Sequence, residues 1–423
     1  MPNKAPELIQ AATEWLLVSL FAFPILPLPA ENILFILFTF FVLISLIYKK
    51  PSRPLSNIKN NLILALPFIP YIFDFILHYN NAIVFFEAEK KLLFFICPVV
   101  LGLYTSIYSI KPLKVYMYCF TISLLVVTLY TITILLSQNI LFSPSSYENE
   151  AFVLRRWFEE ISHLHPTYYS LFAGVAILWI VSELQKLKGI HKWLFILAAI
   201  VLLFQVLFVA ARMPLIGLAI SLLFLFYKIT ANRKRLLTIY ALLVPCIIAA
   251  PFIVPSLNKR VSQVRNFIVP APEYPHAIDE RKVIFDCGIT VFTDNFWLGV
   301  GSANYQVILN QCYAEKQLKQ AKVEPFNAHN QFLTIGINYG VFPFLLFLSI
   351  IAIYFKRTLS NPFATALMIS GVMVMCTESI LERQRGVYFF VLFFLLMIGL
   401  SRENSVGKNH FISKNSFLNK ISS

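Results

Sequence analysis

The chain reads as long apolar runs separated by short polar stops. Apolar windows stand near 11–27, 33–48, 62–79, 92–110, 115–137, 167–182, 193–210, 213–227, 236–254, 331–355, 362–380 and 387–400. A helix needs roughly 20 apolar residues to cross the hydrocarbon core of a bilayer, and most of these windows approach that length. The pattern predicts an all-α polytopic membrane protein with about twelve transmembrane helices. Pro24, and the near continuity of the first two windows, predict a helical hairpin there rather than a cleaved signal peptide.

Two gaps in the pattern are long, 138–165 and 256–328. They divide the chain into an expected membrane part at 1–255 (spans 1–9, with an outward loop at 138–165), a large loop at 256–328, spans 10–12 at 329–400, and a polar tail at 401–423. Within the large loop, Ile278, Val283, Ile284, Cys287, Val291 and Phe292 alternate at near-helical period with Asp279, Glu280, Arg281, Lys282 and Asp286. That spacing predicts an amphipathic helix lying on the outer membrane surface or packed over a cavity.

Charge sets the expected orientation. Lys49, Lys50 and Arg53 follow the second window, Lys186, Lys188 and Lys192 the sixth, Arg233, Lys234 and Arg235 the eighth, and Lys356 and Arg357 the tenth. Basic short loops remain cytoplasmic, so both termini are expected in the cytoplasm and the 256–328 loop between spans 9 and 10 in the periplasm.

Composition narrows the class. The chain is 58% hydrophobic, and its 35 Lys+Arg against 21 Asp+Glu give a net charge of +14. So few charges exclude a soluble enzyme, and basic loops beside anionic headgroups account for the excess without nucleic acid, leaving membrane lipids as the expected partner. The 6 cysteines occur singly, with no Cys-x-x-Cys, so neither a metal site nor a disulfide framework is indicated. Cys287 and Cys312 share the outward loop and could pair in an oxidising compartment, but nothing in the sequence fixes their distance.

Charged residues at the mouths of spans are costly, which makes them candidates for chemistry. Arg212 stands in the tight outward turn Ala210-Ala211-Arg212-Met213-Pro214, beside exposed N–H groups of the next helix, and is read as an anion ligand or a snorkelling side chain. Glu378, Glu382, Arg383 and Arg385 cluster at the outward end of the eleventh window, where mutual pairing and anion binding are both open. His329, in Asn327-Ala328-His329-Asn330, lies where the large loop re-enters the membrane, and a neutral imidazole there could take a proton from a hydroxyl. Gly299-Val300-Gly301 is a turn or a close backbone approach, Asp74 an acid expected to pair in the bundle or line a cavity, and His165-Pro166-Thr167-Tyr168 a cap or a cavity wall.

Taken together, these residues resemble the O-antigen ligase and polymerase superfamily of bacterial inner-membrane proteins. The family pattern is His-[Asn/Ser/Gln], nine residues, then Gly and a small or polar residue three on. Here His329-Asn330 is followed by Gly340, with Pro343 in the last slot. Arg281 followed by Leu298-Gly299-Val300-Gly301-Ser302-Ala303-Asn304-Tyr305 is similar to the family's "Arg … GVG-x-x-N-[Phe/Tyr]" stretch, and Arg212 falls at its Ser-Arg or Ala-Arg turn. The Glu378–Gly386 cluster and His165–Tyr168 look like a Bacteroidetes-type subgroup. The resemblance implies an inner-membrane glycosyltransferase that moves a glycan from a polyprenyl diphosphate carrier to a hydroxyl of the lipid A core on the periplasmic face, metal-independent, cofactor-free and inverting. His329 would be the catalytic residue, with Arg212, Arg281, Arg383, Asn330 and Glu378 binding substrate. Alternatives are a polysaccharide polymerase of the same family and a protein O-glycan ligase. A transporter or flippase fits less well, because it would show internal repeats and midplane charges.

Overall fold

The computed structural model describes residues 5–51, 54–77, 81–138, 150–253, 280–316, 318 and 326–394. These are helical throughout, with no strand among the described residues. Among the described residues five helices are long and apolar enough to cross a membrane: Leu28–Tyr48, Leu113–Ser137, Gly189–Val209, Arg212–Ile229 and Val341–Thr358. A sixth span forms if Arg155–Ser162 and Pro166–Glu183, bent by 76° at their junction, act together. The chain is thus a polytopic membrane protein.

Arg233–Ile253 is a further helix of 21 residues, and several other apolar windows form shorter or interrupted helices. The 62–79 window breaks into two single 3-10 turns, Leu62–Leu64 and Leu66–Phe68, before Ile69–Leu77. The 92–110 window yields Leu93–Ile107 with Pro98 inside it, and 362–380 stops as a helix at Met375. The 331–355 window is two helices, Gln331–Tyr339 and Val341–Thr358, divided at Gly340. Hydropathy averages across such breaks, since a proline or a left-handed residue interrupts the backbone without lowering apolarity. The 401–423 tail and the 254–279 part of the large loop lie outside the described residues.

Two cores result. In the larger, Pro166–Glu183 is the central helix, buried without a gap from Pro166 to Ile180, and it packs against Leu113–Ser137, Gly189–Val209, Arg212–Ile229 and Pro362–Met375. Its packing is aromatic: the Phe120 and Phe393 rings lie 4.7 Å apart, and Phe172 and Phe389 5.0 Å apart, within the range of favourable ring pairs.

The smaller core belongs to the large loop. Val283, Ile284, Cys287 and Val291 of helix Glu280–Asp294 pack with Leu309, Cys312 and Tyr313 of helix Tyr305–Glu315, and with Ile337. Cys287 and Cys312 form a disulfide, which settles the pairing that sequence left open. The predicted amphipathic helix is there, and the apolar side foreseen for it is the one that faces this core.

Backbone contacts join the two bodies. Val300 N–H donates to Ile337 O at 2.8 Å, Gly301 N–H to Asn338 O at 2.9 Å, and Val341 N–H to Phe296 O at 2.8 Å. Gly299 and Gly340 have φ of 70° and 79°, a region that glycine enters without steric cost. A Cβ on Gly299 would fall 2.5 Å from the Asn338 carbonyl, and one on Gly340 2.2 Å from the Trp297 oxygen. The Gly-Val-Gly run is therefore a close backbone approach, and its neighbour is the chain itself. Asp74 adds a side-chain tie, accepting hydrogen bonds from the amide and the hydroxyl of Ser302.

Candidate active site

His329 stands between the two bodies. Its own φ of 43° is left-handed, and its amide donates to Asn327 Oδ1 at 2.8 Å, so the loop turns sharply into the helix that follows. Asn330 is the N-cap of Gln331–Tyr339: its side-chain oxygen accepts from Phe332 N–H at 2.9 Å and Leu333 N–H at 3.0 Å. Its amide nitrogen donates to Cys376 O at 2.9 Å, fastening the His329 turn to the end of Pro362–Met375. Both polar ends of Asn330 are engaged in structure, which gives it a positioning task.

Three residues past that helix lies the partner of the histidine. Glu378 Oε2 is 3.1 Å from His329 Nδ1, and its Oε1 is 3.9 Å from an Arg281 nitrogen. Burial works against ionisation of Glu378, yet the hydrogen bond and charge of His329, with His165 and Arg281 beyond, hold its carboxyl below the usual range. An ionised carboxylate only accepts hydrogen bonds, so Nδ1 is the donor in this contact and Nε2 is the ring nitrogen left for another partner. Arg281 is half exposed.

A cavity of about 950 Å³ has His165 and Arg383 on its wall, while His329 and Glu378 are not among its lining residues. Its lining includes Ile25–Pro29, Phe86, Glu89, Lys90, Glu159, His163, Tyr168 and the run Glu382–Arg385. His165 caps Pro166–Glu183, with Nδ1 accepting from Thr167 N–H at 3.3 Å. Burial, reinforced by the positive charge of Arg383, pushes His165 down to about 4, so it is neutral at pH 7. Arg383 lies 3.8 Å from Glu159, with its guanidinium 5.9 Å from the Tyr168 ring centre. Arg385 is tied to structure: it donates to the carbonyls of His163 and Leu26 at 2.8 and 2.9 Å and pairs with Glu31 at 3.3 Å.

Under the cavity lies a network absent from the sequence reading. Lys91, wholly buried, donates to the Leu381 carbonyl and lies 3.2 Å from Glu382 Oε2. Gln331 donates to Glu382 Oε1 at 3.3 Å and accepts from Leu381 N–H at 2.7 Å. One signal could have exposed it: Lys90-Lys91 falls in a loop expected to face outward, against the positive-inside rule.

Of the candidates read from sequence, the structure brings His329, Asn330, Glu378 and Arg281 together. Arg383, like His165, lines the cavity. Arg212 is the first residue of Arg212–Ile229, directly after Ala210, whose φ of 49° ends the preceding helix, and Ala211. Asp74 ties the bundle to Ser302.

No curated protein matches the chain closely enough to count as a relative. Residues 197–348 match the family model described as O-antigen ligase, a segment that holds Arg212, Arg281, the Gly-Val-Gly run, His329, Asn330 and Gly340 and stops short of Glu378 and Arg383. The resemblance read from the sequence is supported over that segment, where the chain, a polytopic membrane protein, is similar to the O-antigen ligase family.

Proposed function

We propose that the protein is a membrane glycosyltransferase of the O-antigen ligase type, transferring a glycan from a polyprenyl diphosphate carrier to a hydroxyl of the lipid A core on the periplasmic face of the bacterial inner membrane. The family match supports the coarser role, a membrane glycan ligase or polymerase. The observation that carries the finer reading is the 3.1 Å contact of His329 with Glu378, a carboxylate–imidazole pair at a polar mouth of the bundle.

In this reading Glu378 orients the ring, and His329 Nε2 takes the proton as the acceptor oxygen attacks the anomeric carbon. The bond from that carbon to the diphosphate oxygen breaks, and the leaving diphosphate takes the electron pair. Attack in line with the departing group inverts the anomeric centre. Arg281 and Arg212, the two arginines within the family segment singled out by motif, hold the developing negative charge; guanidinium forks suit phosphate oxygens better than a point charge does. Asn330 keeps the His329 turn in place.

The test separates binding from transfer. Purified protein is given polyprenyl diphosphate glycan and lipid A core, and donor binding and capped core are measured for wild type and His329→Ala. General-base catalysis contributes roughly 10²- to 10⁴-fold, so transfer should fall by that order while donor binding persists. Loss of donor binding in His329→Ala would make the histidine a phosphate ligand. Growth of the donor glycan without core acceptor would move the assignment to the polymerase.

A further inference from the structure

The Glu280–Asp294 helix has a second apolar face. Besides the side buried in the small core, Phe285 and Ile289 stand exposed one helical turn apart, Phe292 at the edge of the core is partly exposed beside them, and Phe296 continues the row past the helix end. Phe285 is 47% exposed, and the row runs on into Trp297 and Leu298, at 65% and 67%. Nothing in the fold of the loop requires this, because its own core is already filled from the other side.

The row is continuous with a membrane helix. The Trp297 ring lies 6.0 Å from Phe342, itself 64% exposed, and Phe292 lies 5.5 Å from Phe344. Both partners stand in the first turn of Val341–Thr358, a candidate span of which only 22% is buried within the protein. The exposed face of that span is a lipid-facing surface, and the aromatic row extends it onto the loop domain. Tryptophan and phenylalanine side by side at the end of a span are the composition of a membrane–water boundary, where an indole offers an apolar body and one N–H donor. Lys282 and Asp294, both exposed, flank the row on the same helix, as on helices that lie in the boundary plane.

We propose that this row seats the disulfide-linked domain in the headgroup–acyl boundary of the leaflet on the His329 side, with Trp297 as its deepest anchor. The occupant is lipid. The seat holds Arg281, on the same helix, at the depth of lipid headgroups, and it is independent of which glycan the enzyme transfers.

The experiment uses the full chain in phosphatidylethanolamine–phosphatidylglycerol vesicles. Tryptophan emission is recorded for wild type and for Trp297→Phe, and the difference isolates Trp297 without disturbing buried indoles. Quenching of that difference is compared between lipids brominated at acyl carbons 6 and 7 and aqueous iodide. Lipid bromine should quench it at least about twofold more than iodide does. Stronger quenching by iodide would overturn the proposal by placing Trp297 in water, and resistance to both quenchers would overturn it in favour of a protein partner. Should Trp297→Phe fail to insert, the same comparison on Phe342→Trp against wild type reads the adjoining position, with the same outcomes deciding.

Discussion

The bundle and the loop domain are stabilised by different means. In the bundle a helix such as Pro166–Glu183 is covered on all sides, so its position follows from apolar burial shared among many neighbours. In the loop domain the core is small, and order comes from a disulfide and from backbone hydrogen bonds to the bundle, made possible by the positive-φ glycines Gly299 on one side of the junction and Gly340 on the other. The candidate site takes one member from each: His329 from the exit of the loop domain, Glu378 from the end of a bundle helix. A pair that spans two bodies keeps its 3.1 Å spacing only while the bodies hold their register, so the residues that set that register matter as much as the pair.

The sharpest break of this comparison is at Gly340. Gly340→Ala should leave little folded protein, because the new Cβ would overlap the Trp297 carbonyl and φ is 79°. Gly371→Ala in the bundle, with nothing within 4 Å of its Cβ, should be tolerated or slightly stabilising; monodispersity in size-exclusion chromatography reads both. Equal behaviour of the two would remove the distinction between the bodies.

Lys91→Met should cost about 3–5 kcal/mol in a thermal or denaturant melt, by leaving Glu382 without its cation. Lys91→Met with Glu382→Gln should recover part of that loss, whereas simple addition of the two effects would show that the ion pair contributes nothing. In the loop domain, Cys287→Ser with Cys312→Ser should cost about 3 kcal/mol, the value expected for a loop closed across a separation of 25 residues. Hydrogen exchange should rise in 280–316 and stay unchanged in 166–180. Exchange rising equally in both would mean that the two bodies unfold as one.

The smallest effect is in pH. His165 has a folded pKa of about 4, below the ordinary value of 6.5, so below pH 6.5 the unfolded chain binds the proton more readily. Its neutral form therefore contributes stability that is full above pH 6.5 and is lost as pH falls towards 4. Between pH 7 and pH 6 the loss should be under about 1 kcal/mol, and His165→Gln should abolish it in melts run at both values.

Some of this arrangement was written in the chain in readable form. Hydropathy located the helices of the bundle, because apolar composition is a local property. It missed the breaks at Leu62–Phe68 and Gly340, where composition stays apolar while the backbone turns. The Gly-Val-Gly run, Gly340 and His329-Asn330 were visible as motifs, but the partnership of the two glycine sites, and the distance of Cys287 from Cys312, exist only after folding. Glu378 was noticed as a costly charge; that it faces His329 across 49 positions of sequence had no local signal. The capping by Asn330 did have one, an Asn directly before an apolar helix.

The short helix between Asn330 and Gly340 works as a ruler. At 1.5 Å per residue, its nine residues put about 13.5 Å of helix between the His329 turn and the glycine interlock, and they also set the direction in which the imidazole points. One inserted residue would turn the histidine by about 100° about the helix axis, away from Glu378, even if every other contact survived. Among descendants of this fold, the interval from His329 to Gly340 should therefore tolerate changes of side chain and reject changes of length, and Gly299 and Gly340 should be kept or lost as a pair.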